Sequence, residues 1–107
     1  MARQQLQNLT EPMYYILLTL TSPNHGYAIM KKVAETTNDR VRVGAGTLYS
    51  LLSRFEKEGI VDCIGNEGKR KIYRITDKGM ELLLGEHRRL ISLVEDGNKV
   101  LKGDKNG

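Results

Sequence analysis

The chain has 107 residues, 39% of them apolar, with seventeen Lys and Arg against thirteen Asp and Glu for a formal charge of +4. That length holds one small domain whose core forms only if its elements are short and well stacked, and a single cysteine, Cys63, excludes a disulfide framework or a four-cysteine metal site and fits a reducing compartment. No apolar run approaches the ~20 residues that span a bilayer, and "MARQQLQNLTEP" lacks the apolar centre of a secretion signal, so a soluble, intracellular chain with no membrane partner is expected, its surplus of base favouring a polyanionic partner without requiring one.

Thr10, Glu11 and Pro12 together read as a helix start, because Thr caps, Glu suits the positive end and Pro is tolerated in the first turn. The helix runs to near Ser22 and Pro23 with Met13, Ile16, Leu17 and Leu20 inward, while Tyr14, Tyr15 and Leu18 leave a second apolar face in want of a partner. Asn24 is the expected cap of a second helix, "GYAIMKKVAETT", with Ile29, Met30 and Val33 inward and Lys31, Lys32 and Glu35 outward, closing at the polar Thr36 to Asp39. "RVRV" from Arg40 alternates base and apolar side chain, which suits a short extended segment or plain loop.

In "GTLYSLLSRFEKEG" the residues Leu48, Leu51, Leu52 and Phe55 fall at i, i+3, i+4 and i+7, and Gly59 supplies a left-handed stop. Two extended runs follow, "IVDCI" from Ile60 and "KIYRI" from Lys71, joined by "GNEGKR" as a hairpin with a basic arm; Cys63 is expected to be packed within the first run. Thr76, with Asp77 behind it, caps a last helix reaching about Leu101, and "KGDKNG" is a frayed end.

The third helix carries the most information about function. Opposite its leucines lie Gly46, Ser50, Ser53 and Lys57, with Thr47, Tyr49 and Arg54 on the flanks. Small side chains let a helix sink into a DNA major groove, where Ser and Thr bond to almost any base edge, while Tyr49 and Arg54 reach phosphates to either side. Free amides near Gly46 and Thr47 offer a further phosphate seat. Lys69, Arg70, Lys71 and Arg74 crowd the hairpin, with Tyr73 and Ile75 alternating inward; such charges repel by about a few tenths of a kcal/mol per close pair unless an anion sits among them.

The order helix, helix, helix, hairpin, helix is that of a winged helix-turn-helix with one extra helix: mainly α with a small β-hairpin. Residues 1-78 are assigned to the winged unit, its N-terminal helix at about 10-22, and 79-107 to a C-terminal dimerisation helix and polar tail. On that last helix Met80, Leu83, Leu90, Leu93, Val94 and Leu101 form a stripe widened by Leu82, Leu84 and Ile91. A second copy of the chain is its economical cover, with Met13 and Leu17 joining Leu83, Leu90, Val94 and Leu101 in the dimer contact. Gly85 suggests a close crossing of helices and Gly97 an early end. His25, His87 and Cys63 assemble no nucleophile or metal site, so neither an enzyme nor a cofactor is expected.

"GYAIMKKV", "GAGTLYSLLSRFEKEGIV" and "KRKIYRITDKG", in that order over about Ile16 to Gly79, resemble the PadR family of bacterial transcriptional regulators, in its short subgroup with one C-terminal helix. The resemblance implies a cytoplasmic, nucleoid-associated dimeric repressor on a palindromic operator in double-stranded DNA. Tyr49, Ser50 and Ser53 would face that DNA, Arg70 and Lys71 would belong to the wing, and Gly26, Tyr27 and Tyr73 would be structural. Some multidrug-sensing relatives hold flat aromatic compounds between paired Trp residues on the last helix. This chain has no Trp and carries Leu90 at the corresponding place, which leaves a small-molecule effector of unspecified identity. The competing reading is a winged-helix protein-interaction module with no operator, its basic arm meeting an acidic protein.

Overall fold

The computed structural model describes residues 8–103; the readings made above on Met1 to Gln7 and on the tail from Asp104 lie outside them. Helix α1 (Glu11–Thr19) starts where Thr10 accepts from the Met13 amide at 3.4 Å and stops at Leu20, a few residues before Pro23. Its Met13, Ile16 and Leu17, with Leu20, enter the core, and Leu9 joins them from the approach to the helix.

The next element corrects the expectation at Asn24. Asn24 and His25 form a short strand, β1 (Asn24–His25), and His25 occupies the cap position of α2 (Gly26–Thr36) without a side-chain bond to the helix. Asn24 accepts instead from the His25 amide at 3.0 Å. The strand exists because Asn24 and His25 find partners in Tyr73 and Ile72, far along the chain. Helix α2 buries Ile29 and Val33 and ends in two left-handed residues, Asn38 and Asp39. Thr37 is buried, contrary to its reading as part of a polar helix end. Its hydroxyl lies 2.9 Å from the Val33 carbonyl and accepts from the Val41 amide at 3.0 Å, tying the end of α2 to the following link. That link, "RVRV", is loop, yet its alternation is realised, since Val41 and Val43 are buried and Arg40 and Arg42 are exposed.

Helix α3 (Ala45–Lys57) buries Leu48, Leu52 and Phe55, and Gly59 follows at φ +74, the left-handed turn its position suggested. The hairpin is longer than its composition indicated: β2 (Val61–Glu67) and β3 (Arg70–Ile75) leave only Gly68 and Lys69 as the loop. Gly68 has φ +64, the backbone that a two-residue hairpin loop asks of its first residue. A register shift between Cys63 and Gly65 lets "GN" remain in the strand. The sheet is antiparallel in the order β1-β3-β2, so β2 is an edge and only its first residue, Val61, is buried. Cys63 is therefore exposed rather than packed: it lies on this edge strand, although its ladder partner Tyr73 is buried.

Helix α4 (Asp77–Leu101) is capped by Thr76, which accepts from the Gly79 amide at 3.0 Å and donates to the Gly59 carbonyl at 2.7 Å. It runs unbroken through Gly97, so that glycine ends nothing, and Gly85 has no neighbouring element within reach of a Cβ. The close approach is at Gly79, where any side chain would strike the Ile60 carbonyl oxygen. One core thus joins α1, α2, α3, the root of the hairpin and the start of α4 through Leu83. No helix among the described residues is long and apolar enough to cross a membrane.

Candidate nucleic-acid interface

Burial of Leu48, Leu52 and Phe55 turns the opposite side of α3 outward, and Thr47, Tyr49, Ser50, Ser53, Arg54 and Lys57 are all exposed. Gly44 caps this helix with no side-chain bond, and a Cβ on Gly46 would meet nothing within 4 Å, so its leading turn is open. Arg54, expected to reach a phosphate, has a partner within its own helix end. Its Nε donates to Glu58 at 2.9 Å one turn on, which offsets its charge locally.

Tyr49 is placed by a contact with α2. A Cβ on Gly26 would overlap the Tyr49 hydroxyl and ring, so glycine is what lets the second turn of α3 rest on the first turn of α2. From there the tyrosine faces Lys69, Arg70 and Lys71 across a concavity of about 340 Å3, with His25 and Tyr27 on its α2 side. Tyr27 is 63% exposed and contributes to this surface, not to the core; its expected structural role is corrected, whereas Tyr73 is buried as expected. Burial, followed by the charges of Glu56, Cys63 and Tyr49, pushes the Tyr73 phenol above its ordinary pKa.

The arm is less one-sided in charge than "KRK" suggested. Register places Glu67 opposite Arg70 and Asp62 opposite Arg74, while Lys71 faces Asn66. Arg74 also lies one step out of phase with Lys71 and Tyr73 along β3, so it belongs to the other face of the sheet. Arg70 reaches the His25 ring, Nη1 to Nε2 at 3.4 Å. A guanidinium only donates, so Nε2 is the acceptor in this contact, while Nδ1 is buried without a partner among the described residues.

The residues expected to pair two copies separate into two groups. Met13, Leu17 and Leu83 are 6%, 0% and 2% exposed and belong to the chain's own core, which removes them from any intermolecular face. Leu90 is half-buried, and Val94 and Leu101 are exposed, as are Leu84, Ile91 and Leu93. Tyr14, His87, Leu90, Ile91, Val94 and Glu95 border an open groove of about 290 Å3 between α1 and α4. The sequence reading missed Glu86, which is 4% exposed and bonded by Arg89 at 2.6 and 3.0 Å. The Arg89 bonds hold its carboxyl below the ordinary value against the opposing effect of burial. Its signal was present: Glu86 stands three residues after Leu83 and four before Leu90, squarely on the apolar stripe, with Arg89 one turn on.

Three stacked helices, a basic hairpin beside the exposed face of the third, and an appended helix define a winged helix-turn-helix protein. The match to the family model "Transcriptional regulator PadR-like family" spans residues 16–84, more than half of the chain, and the chain belongs to that family. A transcriptional regulator from Clostridium thermocellum superimposes with a TM-score of 0.72 at 29% identity, covering 81% of this chain and 86% of that one. A PadR family transcriptional regulator from Eggerthella lenta gives 0.68 at 30% identity over 82% and 75% of the two chains. An uncharacterised protein of Lysinibacillus sphaericus is 33% identical over 70 residues, 62% of this chain and 64% of its own length. The chain spans less than two thirds of the length of the curated relatives it matches.

Proposed function

We propose that the protein is a sequence-specific regulator that binds double-stranded DNA as a homodimer and represses from a palindromic operator in the bacterial cytoplasm. The observation that carries this reading is the exposed face of α3, where Ser50 and Ser53 are open to solvent and the adjoining Tyr49 shares a recess with the basic tip Lys69 to Lys71. In this assignment Ser50, Ser53 and Thr47 meet base edges, and Lys57, Lys69, Arg70 and Lys71 meet phosphates. Arg54, already paired with Glu58, holds the helix and adds little to affinity.

The homodimer is supported by the outer half of α4, whose exposed Ile91, Leu93 and Val94 have no cover within the described residues. Symmetry would set two copies of α3 about 34 Å apart, one turn of duplex. A small effector of unspecified chemistry would act at the Leu90 groove by altering that spacing. The test is selection of duplexes from a random pool by the purified protein, followed by titration of the selected and a scrambled duplex over a range of salt. The proposal expects a palindromic consensus and a steep salt slope that flattens by roughly 0.9 for each phosphate contact removed with Arg70→Ala and Lys71→Ala. Equal binding of all duplexes would overturn it in favour of a module that meets acidic proteins.

A further inference from the structure

Beyond α3 and the hairpin tip, the concavity between them and α2 has a composition of its own. Apart from Gly26, it is lined by His25, Tyr27, Tyr49, Lys69, Arg70, Lys71 and Tyr73, with no carboxylate. Glu67 sits across the ladder from Arg70, but it does not line the recess, so the three cations there face one another without a neutralising group inside. A concave surface of one sign concentrates its field inward. Every group of this lining other than the His25 acceptor nitrogen can donate a hydrogen bond, and that nitrogen is occupied by Arg70 at 3.4 Å. An oxyanion that only accepts is the matching chemistry.

We infer that this recess seats one backbone phosphodiester of bound duplex, with Tyr27 as its hydroxyl donor and Arg70 and Lys71 as its cations. The inference rests on the DNA reading and adds to it a contact from α2, which neither α3 nor the wing supplies. A phosphodiester fits better than a free phosphate for two reasons. The recess, at about 340 Å3, has room for the flanking sugars as well as the phosphate, and the half-exposed rings of Tyr27 and Tyr49 offer apolar edges beside hydroxyl tips. Tyr49 also precedes Ser50 on α3, so a duplex whose groove receives Ser50 brings its backbone to the recess. His25 acts as a positioning residue, holding the Arg70 guanidinium over the recess until the phosphate arrives.

The experiment places single neutral methylphosphonate linkages along each strand of the selected operator and measures affinity for wild type, Tyr27→Phe and Arg70→Gln. At one linkage per half-site, neutralisation should weaken wild type by about tenfold, the worth of a hydrogen bond to a charged group, and should weaken either variant far less. At all other linkages the three proteins should respond alike. Tyr27 is exposed, so its change to Phe leaves the fold intact. If a preferred operator exists but no linkage couples to Tyr27 or Arg70, the recess is not a phosphate seat and the inference falls alone. If no duplex is preferred, the DNA reading falls and takes the inference with it. A parallel titration with inorganic phosphate at constant ionic strength follows the ring resonances of Tyr27 and His25. Saturation below about 1 mM, a binding energy of about 4 kcal/mol, would assign the recess to a small phosphorylated ligand and overturn the phosphodiester.

Discussion

The turns of α4 from Asp77 to Glu86 and those from His87 to Leu101 both carry apolar residues at helical spacing, yet they meet opposite surroundings. The first part lies on its own chain: Gly79 approaches the Ile60 carbonyl, Leu83 enters the core, and Glu86 is buried and paired with the exposed Arg89. The second part leaves Ile91, Leu93, Val94 and Leu101 exposed. The same helical pattern therefore serves folding in one stretch and, in the next, leaves an exposed apolar face to which the proposed dimer contact is assigned. Periodicity alone cannot tell them apart, because it reports which residues share a face and not what the face meets.

Substitution separates the two directly. Leu83→Ala removes a side chain that the core encloses on every side and should cost about 2 to 5 kcal/mol, seen as a lower denaturant midpoint that does not depend on protein concentration. The largest effect thus belongs to the inner part, and a loss under 1 kcal/mol would dissolve the distinction. Val94→Glu should leave the isolated fold intact, since the residue is 61% exposed, while removing about 1 to 2 kcal/mol of apolar burial per subunit and facing like charges across a dimer. Sedimentation should show dimers for wild type and folded monomers for the variant, and operator affinity should fall because each domain then binds its half-site alone. An unchanged dimer would place the association face elsewhere.

Glu86 marks the border between the two parts, and its charge gives a pH test. Arg89 depresses the carboxyl's folded-state pKa, so the pair stabilises the protein above the unfolded value of about 4.3 and ceases to do so as pH falls through the lower folded value. Glu86→Gln should cost about 1 kcal/mol at pH 7, a modest sum because Arg89 is partly solvated, and should flatten the acid limb of stability against pH. Urea titrations between pH 7 and pH 2 measure both. A variant whose acid limb matches wild type would show that the pair does not hold the border.

What could be read from residue order follows the range of the interactions. Helices α1, α3 and α4 and the outward serines rest on spacing within one segment, and they stand where the spacing put them. The strand at Asn24 and His25 was invisible because its only support is pairing with Tyr73 and Ile72, nearly fifty residues away. Gly79 was equally silent as a contact point and Gly26 was singled out only by the family resemblance, whereas Gly85 and Gly97 drew attention only for being glycines inside a helix. Tyr27, given a structural role only by the family resemblance, is instead exposed at the edge of the recess that α3 and the hairpin form beside α2.

The smallest predicted effect uses those glycines to sharpen the comparison once more. All of Gly79, Gly85 and Gly97 lie inside α4, where glycine is normally less stable than alanine by roughly 0.5 to 1 kcal/mol. At Gly79 that gain is unavailable, because a Cβ would collide with backbone that cannot turn aside, and Gly79→Ala should destabilise the chain. At Gly97 a Cβ meets nothing within 4 Å, so Gly97→Ala should raise the stability of a monomeric background such as Val94→Glu by roughly 0.5 to 1 kcal/mol. In the proposed dimer the same change asks a second question. If the outer part of α4 crosses its twin near Gly97, the added methyl strikes the partner and weakens association while still stiffening the helix, so the sign differs between the two backgrounds. Thermal unfolding of Gly97→Ala alone and combined with Val94→Glu measures both signs. A gain of similar size in each would locate the crossing nearer Leu90 and Ile91, and a loss in the monomeric background would mean that the outer helix already rests on its own chain.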